Sequence, residues 1–155
     1  MSEIDQPSNG STREGDRHAI IDLLNRYAEA LDHRDWALLD DVFLPDATAD
    51  YGVGALTGRA AIVRSITDLL GGCGPSQHLL GNYQVTVDED HARSTSRIRV
   101  FHQGAGSKAS LEPFECFGEY HDDLRRAADG WRIAHREMVT TIVRGDYGVL
   151  GPAPE

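Results

Sequence analysis

The stretch RYAEALDHRDW, Arg26 to Trp36, carries the last residues of an apolar stripe and then, where the stripe runs out, the charged run Asp32, His33, Arg34 and Asp35. Upstream of it Ile20, Leu23, Leu24, Tyr27 and Leu31 recur at the spacing of one helical face. At about 100° per residue Asp32 stands at the edge of that face, so it can turn inward or escape to water. A solvated helix-end acid, or a partner for His33 or Arg34, is the plainer explanation of the residue taken singly, because most charges lie on the surface. What surrounds the helix decides between the two.

On the N-terminal side, Met1 to about Gly15 is polar and rich in Ser, Asp, Glu and Gly; this composition predicts a mobile lead, with order starting near Asp16. On the other side, Asp35 is placed to cap a short second helix, WALLDDVF, which Pro45 stops. ATADYGV then reads as a strand, and GRAAIVRSITDLLGG as a third helix ended by its glycines. After Gly74 and Pro75 the texture changes. HLLGNYQVTV, ARSTSRIRVFHQ, FECFGEYHDDLRR and WRIAHREMVTTIV are strand-like, and turn signals such as DED and ADG separate them. Helices followed by a meander of long strands predict one α+β domain over residues 16–144, in which a curved antiparallel sheet wraps around the N-terminal helices. Such a curl leaves a pocket between its concave face and the first helices, with Asp32 at the junction. The tail GDYGVLGPAPE, residues 145–155, has the Gly and Pro content either to cover that pocket or to trail in solvent.

Composition narrows the function. A chain of 155 residues with 40% apolar content can bury one real core and has no room for a second full domain. Fifteen Lys and Arg against twenty-five Asp and Glu give a formal net charge of −10, which argues against a nucleic-acid partner. No apolar run reaches the roughly 18 residues of a membrane span. The first residues lack a signal-peptide profile, and the two cysteines, Cys73 and Cys116, are too few for a disulfide framework. The expectation is a cytoplasmic protein that handles a small hydrophobic molecule and binds neither nucleic acid nor membrane.

Singly, His78 in SQHLLG and His102 in VFHQG read as half-buried histidines at strand ends. Together, the order LDHRDW, then Asp50 and Tyr51, QHLLG, VFHQ and DGWRI resembles the SnoaL-like superfamily, whose fold is that of nuclear transport factor two, and most of all its scytalone dehydratase branch. The resemblance runs from about Asp16 to Arg144. It implies a cone-shaped α+β barrel with an internal apolar cavity, and it implies roles. Asp32 would match the acid that orients a histidine, and His78 that histidine, the general base or acid. Tyr51 would hold the substrate carbonyl, and His102 would assist the leaving hydroxyl. Arg136 falls near an arginine of the dehydrochlorinase and bile-acid dehydratase relatives, and Tyr27 resembles a tyrosine of the latter. Leu31 departs from the pattern, since scytalone dehydratase has a tyrosine immediately before the acid; the same substrate is not expected.

These residue types suit proton transfer at carbon. A neutral imidazole can take an activated C–H proton and return it to a leaving oxygen, a carboxylate behind it sets the tautomer, and a tyrosine or arginine steadies the developing enolate. Neither metal nor nucleotide is expected. The seven histidines include no HxxxH or HExxH spacing, and Gly71, Gly72 and Gly74 lack a phosphate-loop pattern. Cys116 reads as core, Trp36 and Trp131 as core or lid packing, Asp40 and Asp41 as a solvated face, and His121 to Asp123 as a polar strand end from which His121 can also point into the mouth of the cavity. The function expected is a cofactor-independent dehydratase or isomerase. A polyketide cyclase of the SnoaL type is the alternative within the fold, and a non-catalytic ligand carrier or assembly subunit the alternative outside enzymes. RIRVF and MVTTIV are apolar enough on the outer sheet face to predict a homodimer or homotrimer.

Overall fold

Burial along the first helix follows the stripe read from the sequence: Ile20, Leu23, Leu24, Tyr27 and Leu31 are each no more than 3% exposed. Each such side chain contributes roughly 1.5–3 kcal/mol by leaving water. This helix, α1, runs Asn9–Asp32 in a computed structural model that describes residues 9–152, with side chains from Thr12 onward. It starts ahead of the expected Asp16. Extending a helix that tertiary packing has already nucleated costs little per residue, and on its exposed side Glu14 of this extension lies 3.4 Å from His18, one turn on. Met1 to Ser8, the rest of the expected lead, lie outside the described residues.

A 3₁₀ turn, Trp36–Asp41, replaces the expected second α-helix, and Asp35 makes no side-chain cap. Then come β1 (Phe43–Asp50), β2 (Ala55–Thr57), α2 (Arg59–Leu70), β3 (Cys73–Asp88), β4 (His91–Gly104), β5 (Phe114–Ala127) and β6 (Gly130–Arg144). Pro45 lies inside β1 where the register shifts, a place in a sheet that tolerates a missing N–H. The strands form one curved, unclosed sheet in the order β2-β1-β6-β5-β4-β3. The four long strands are the expected antiparallel meander, but β1 joins β6 in parallel, so the sheet is mixed. That pairing spans most of the chain, and the local alternation of residues does not encode it.

Along β4 the alternation is strict. Ala92, Ser94, Ser96, Ile98, Val100 and His102 are buried, while Arg93, Arg97, Arg99 and Phe101 are exposed. Register shifts in β3 and across the β5–β6 pair bend the sheet so that the buried face is concave. At one such shift Gly118 lies so close to the Val139 carbonyl that a Cβ there would stand 2.1 Å from the oxygen.

Helix α1 lies across this concave face and is tied down at both ends. Near its start Asp16 accepts from Arg126 Nη1 and Nη2, both at 2.8 Å, and from Trp131 Nε1 at 3.0 Å. At its far end it is tied by Asp32. The tail folds back: Val149 is fully buried, Gly151 N–H donates to Leu69 O at 2.7 Å, and Gly72 N–H donates to Gly151 O at 3.0 Å. Through Pro152 it therefore packs on the corner between α2 and β3. No helix among the described residues is long and apolar enough to cross a membrane.

Candidate functional site

The acid at the end of α1 is answered by β3. Both Asp32 carboxylate oxygens accept from the His78 backbone N–H, at 3.1 and 3.0 Å, and Oδ1 also accepts from His78 Nδ1 at 2.7 Å. These bonds offset the repulsion between a carboxylate and the negative end of the helix dipole. A carboxylate only accepts, so His78 carries a proton on Nδ1, and its neutral form keeps the lone pair on Nε2. His78 is buried and Asp32 partly so, with 4% and 21% of their side chains exposed. His33 pairs instead with Glu29, one turn back on the exposed side.

Arg34 also faces the site, by way of its backbone. It terminates the helix in the left-handed region at φ 57°. The Asp35 N–H reaches Ala30 O at 2.9 Å and the Arg34 N–H reaches Leu31 O at 3.3 Å, the bond pair of a Schellman cap. Glycine usually fills that position, and a side chain there costs about 1–3 kcal/mol. The guanidinium turns back to donate from Nη2 to Gly74 O at 2.8 Å and to Ser76 Oγ at 2.7 Å. Ser76 Oγ is 2.8 Å from His102 Nδ1, and the His102 ring meets the His78 ring edge-on, centroids 5.2 Å apart. Burial, then the neighbouring His78 and Arg34, push the His102 imidazole down to about 3, against a weaker pull from Asp32. His102 is neutral at ordinary pH.

Tyr27 and Arg136, with the half-buried Tyr51, gather in a second cluster. Tyr27 donates to the Tyr51 hydroxyl at 3.2 Å. Arg136 is fully buried, its guanidinium carbon 4.2 Å from the Tyr27 ring centre and 4.0 Å from that of Tyr120. It is not free to take a substrate through its fork. Nε and Nη2 donate to the two oxygens of Asp122 at 2.7 and 2.8 Å, and only Nη1 lacks a partner, as do the buried hydroxyls of Ser94 and Ser96. Burial opposes the charge of Arg136, but Asp122 more than offsets it and holds the guanidinium cationic. Burial also holds the phenols of Tyr51 and Tyr120 well above their ordinary range.

Asp122 corrects the expectation of a polar strand end: it is 3% exposed, whereas its neighbour His121 pairs with Glu119 at the surface. Counting by twos from Cys116 through Gly118 and Tyr120 puts Asp122 on the inner face, a signal present in the sequence. Ser76 could have been found the same way, two residues before His78. The role of Arg34 had no such signal. Cys116 is buried as expected, its thiol pushed up to about 11 by burial and by Glu115. Trp131 belongs to the core, and Trp36, partly buried, packs against that core cluster. Two surface clefts, of about 470 and 420 Å³, lie beside Arg59 and Arg64 and on the outer face near Leu79 and Ile142; neither includes Asp32 or His78. Among the described residues no three His, Cys, Asp or Glu side chains converge as metal ligands.

Comparison with known proteins agrees with this architecture. A family model described as a SnoaL-like domain matches residues 13–137. An uncharacterized protein of Mycobacterium tuberculosis is 37% identical over 123 residues, which cover 78% of this chain and 82% of that protein. Terrestric acid biosynthesis cluster protein E of Penicillium crustosum is 28% identical over 141 residues, 88% of this chain and 90% of the relative. Among solved structures, a provisionally assigned scytalone dehydratase of Novosphingobium aromaticivorans superposes with a TM-score of 0.81 at 20% identity, over 93% of this chain and 96% of that one.

Proposed function

This chain belongs to the SnoaL-like domain family, and we propose that it is a cofactor-independent lyase or isomerase, foremost a dehydratase, acting on a small hydrophobic carbonyl compound. One observation carries the reading: Asp32 holds the Nδ1 proton of a buried His78 at 2.7 Å, which leaves Nε2 as a base with no competing partner among the described residues. In the proposed reaction His78 Nε2 takes the proton from the carbon beside the carbonyl. The C–H electron pair moves toward that carbonyl, whose oxygen is held by the Tyr51 hydroxyl and the unpartnered Arg136 Nη1. The electrons return to form C=C as the C–O bond at the next carbon breaks. The departing oxygen takes the proton from the His78 imidazolium and leaves as water, and Asp32 stabilises that imidazolium while it lasts. Metal and nucleotide have no step in this scheme.

The same base would serve a cyclase, where the carbanion closes a ring instead of expelling an oxygen. The fungal relative's place in a biosynthesis cluster favours a metabolite as substrate under either outcome. The test is a panel of hydroxy-ketones and polyketide-like ketones assayed with native protein, His78→Ala and Asp32→Asn. Loss of the base should lower turnover about 10²–10⁴-fold. Unchanged turnover in His78→Ala would remove His78 as the base, and no turnover of any panel member by the native protein would leave a carrier or assembly role.

We also propose a homodimer or homotrimer. Leu79, Phe101, Val139 and Ile142 are exposed, and the strand register puts them on the outer sheet face together. Light scattering that gives the monomer mass of 17.0 kDa would reject it.

A further inference from the structure

We propose that Arg34 and Ser76 are positioning residues that prepare His102 as a neutral hydrogen-bond donor through Nε2–H, complementary to the Nε2 lone pair of His78. The inference rests on the proton-transfer reading of the site, and it assigns the second histidine a role different from that of the first.

One hydroxyl sets the tautomer of His102. Ser76 Oγ has one proton to give and three polar neighbours: Arg34 Nη2 at 2.7 Å, His102 Nδ1 at 2.8 Å and Gly74 O at 3.3 Å. Arg34 can only donate, so it takes a lone pair of the oxygen. The proton goes to the nearer of the two remaining acceptors. A separation of 2.8 Å is ordinary for a hydroxyl donor and 3.3 Å is long, and Gly74 O already receives the Arg34 guanidinium at 2.8 Å. A cation on the oxygen's other side also makes the hydroxyl a better donor. Ser76 therefore donates to His102 Nδ1, and a neutral imidazole that accepts at Nδ1 carries its proton on Nε2.

His78 is set the opposite way by an acceptor at its Nδ1. Two rings 5.2 Å apart thus present a lone pair and an N–H from the same kind of atom. The chain accepts an unfavourable backbone at Arg34 whose side chain then serves this contact, which gives the strained residue a purpose a glycine could not fill. During elimination His102 donates a hydrogen bond to the departing oxygen and keeps its proton; the transferred proton is the one His78 took from carbon. The charged or titratable groups facing His102 are His78 and Asp32 on one side and Arg34 on the other, with the Phe114 ring stacked 6.4 Å away. The cation and the burial both favour the neutral ring that this role needs.

Nitrogen-detected NMR of the ligand-free protein, with the histidine rings labelled, tests the assignment. Native His102 should show Nε2–H and His78 Nδ1–H. Ser76→Ala should abolish the His102 preference while leaving His78 as it was, and Ser76→Thr, which restores a hydroxyl, should restore it. Arg34→Gly, which suits the left-handed backbone, should keep the fold and raise the pH at which His102 titrates. Native His102 protonated on Nδ1, or a tautomer unmoved by Ser76→Ala, would overturn the proposal even if the Asp32–His78 base stands. Should the tautomers behave as stated while no ketone is turned over, the relay stands and the proposed reaction falls.

Discussion

The Asp32–His78–His102 group and the Arg136–Asp122 group both lie on the concave side of the sheet, and the protein treats them in opposite ways. In the deeper group every charge is matched. Arg136 gives two bonds to Asp122 and is flanked by the rings of Tyr27 and Tyr120, so it is locked, with a single nitrogen to spare. In the group at the helix end each imidazole is held by one nitrogen only, which leaves the other for chemistry. Burial by itself therefore does not mark a working residue: in the more buried cluster most of the hydrogen-bonding capacity is committed to an internal ion pair, whereas each imidazole at the helix end keeps a whole ring nitrogen.

The contrast can be broken most forcefully at the deep pair. Asp122→Ala leaves a buried guanidinium without its counter-charge and should cost about 3–5 kcal/mol of folding stability in urea denaturation. Replacing both partners together, Asp122→Leu with Arg136→Met, should recover much of that loss, because removing a buried pair entire also removes its desolvation cost. A cost near zero for Asp122→Ala would mean that the ion pair is not closed to water.

A smaller effect is expected at the helix-end group. His102 has a folded-state value of about 3 against an ordinary 6.5, so its neutral form is favoured by folding. Above pH 6.5 it is neutral in both states and its contribution is fully present. Below that the unfolded chain binds a proton the folded one refuses, and stability falls as pH drops toward 3, by about 2 kcal/mol at pH 5. Unfolding curves between pH 7 and 5 should show this slope, and His102→Gln should flatten it. An unchanged slope in the variant would place the titration elsewhere and show His102 to be less buried than the geometry has it.

Much of this molecule is legible in its linear order. The stripe of α1, the third helix with its terminal glycines and the four long strands follow from periodicity and turn chemistry, because a helix face and a strand face are local patterns. Asp32, His78 and His102 were legible as residue types suited to proton transfer, and the family resemblance supplied the pairing of the first two. Asp122 and Ser76 were legible in principle from strand parity. Other features were not. The parallel seam of β1 and β6 joins segments most of a chain apart, and the commitment of Arg136 to Asp122 depends on which strands become neighbours.

The order of residues determined α1, α2 and the four long strands, the buried face of α1, and that an acid ends the first helix while two histidines lie in the strands after it. Only the tertiary structure decided which nitrogen of each histidine is held, that Arg34 bends into a left-handed cap to reach Ser76, and that Arg136 gives Nε and Nη2 to a carboxylate and keeps only Nη1. The physical reason is range. Periodicity and capping act over one or two turns of chain, whereas a tautomer or an ion pair is set by distances of about 3 Å between groups the fold alone brings together.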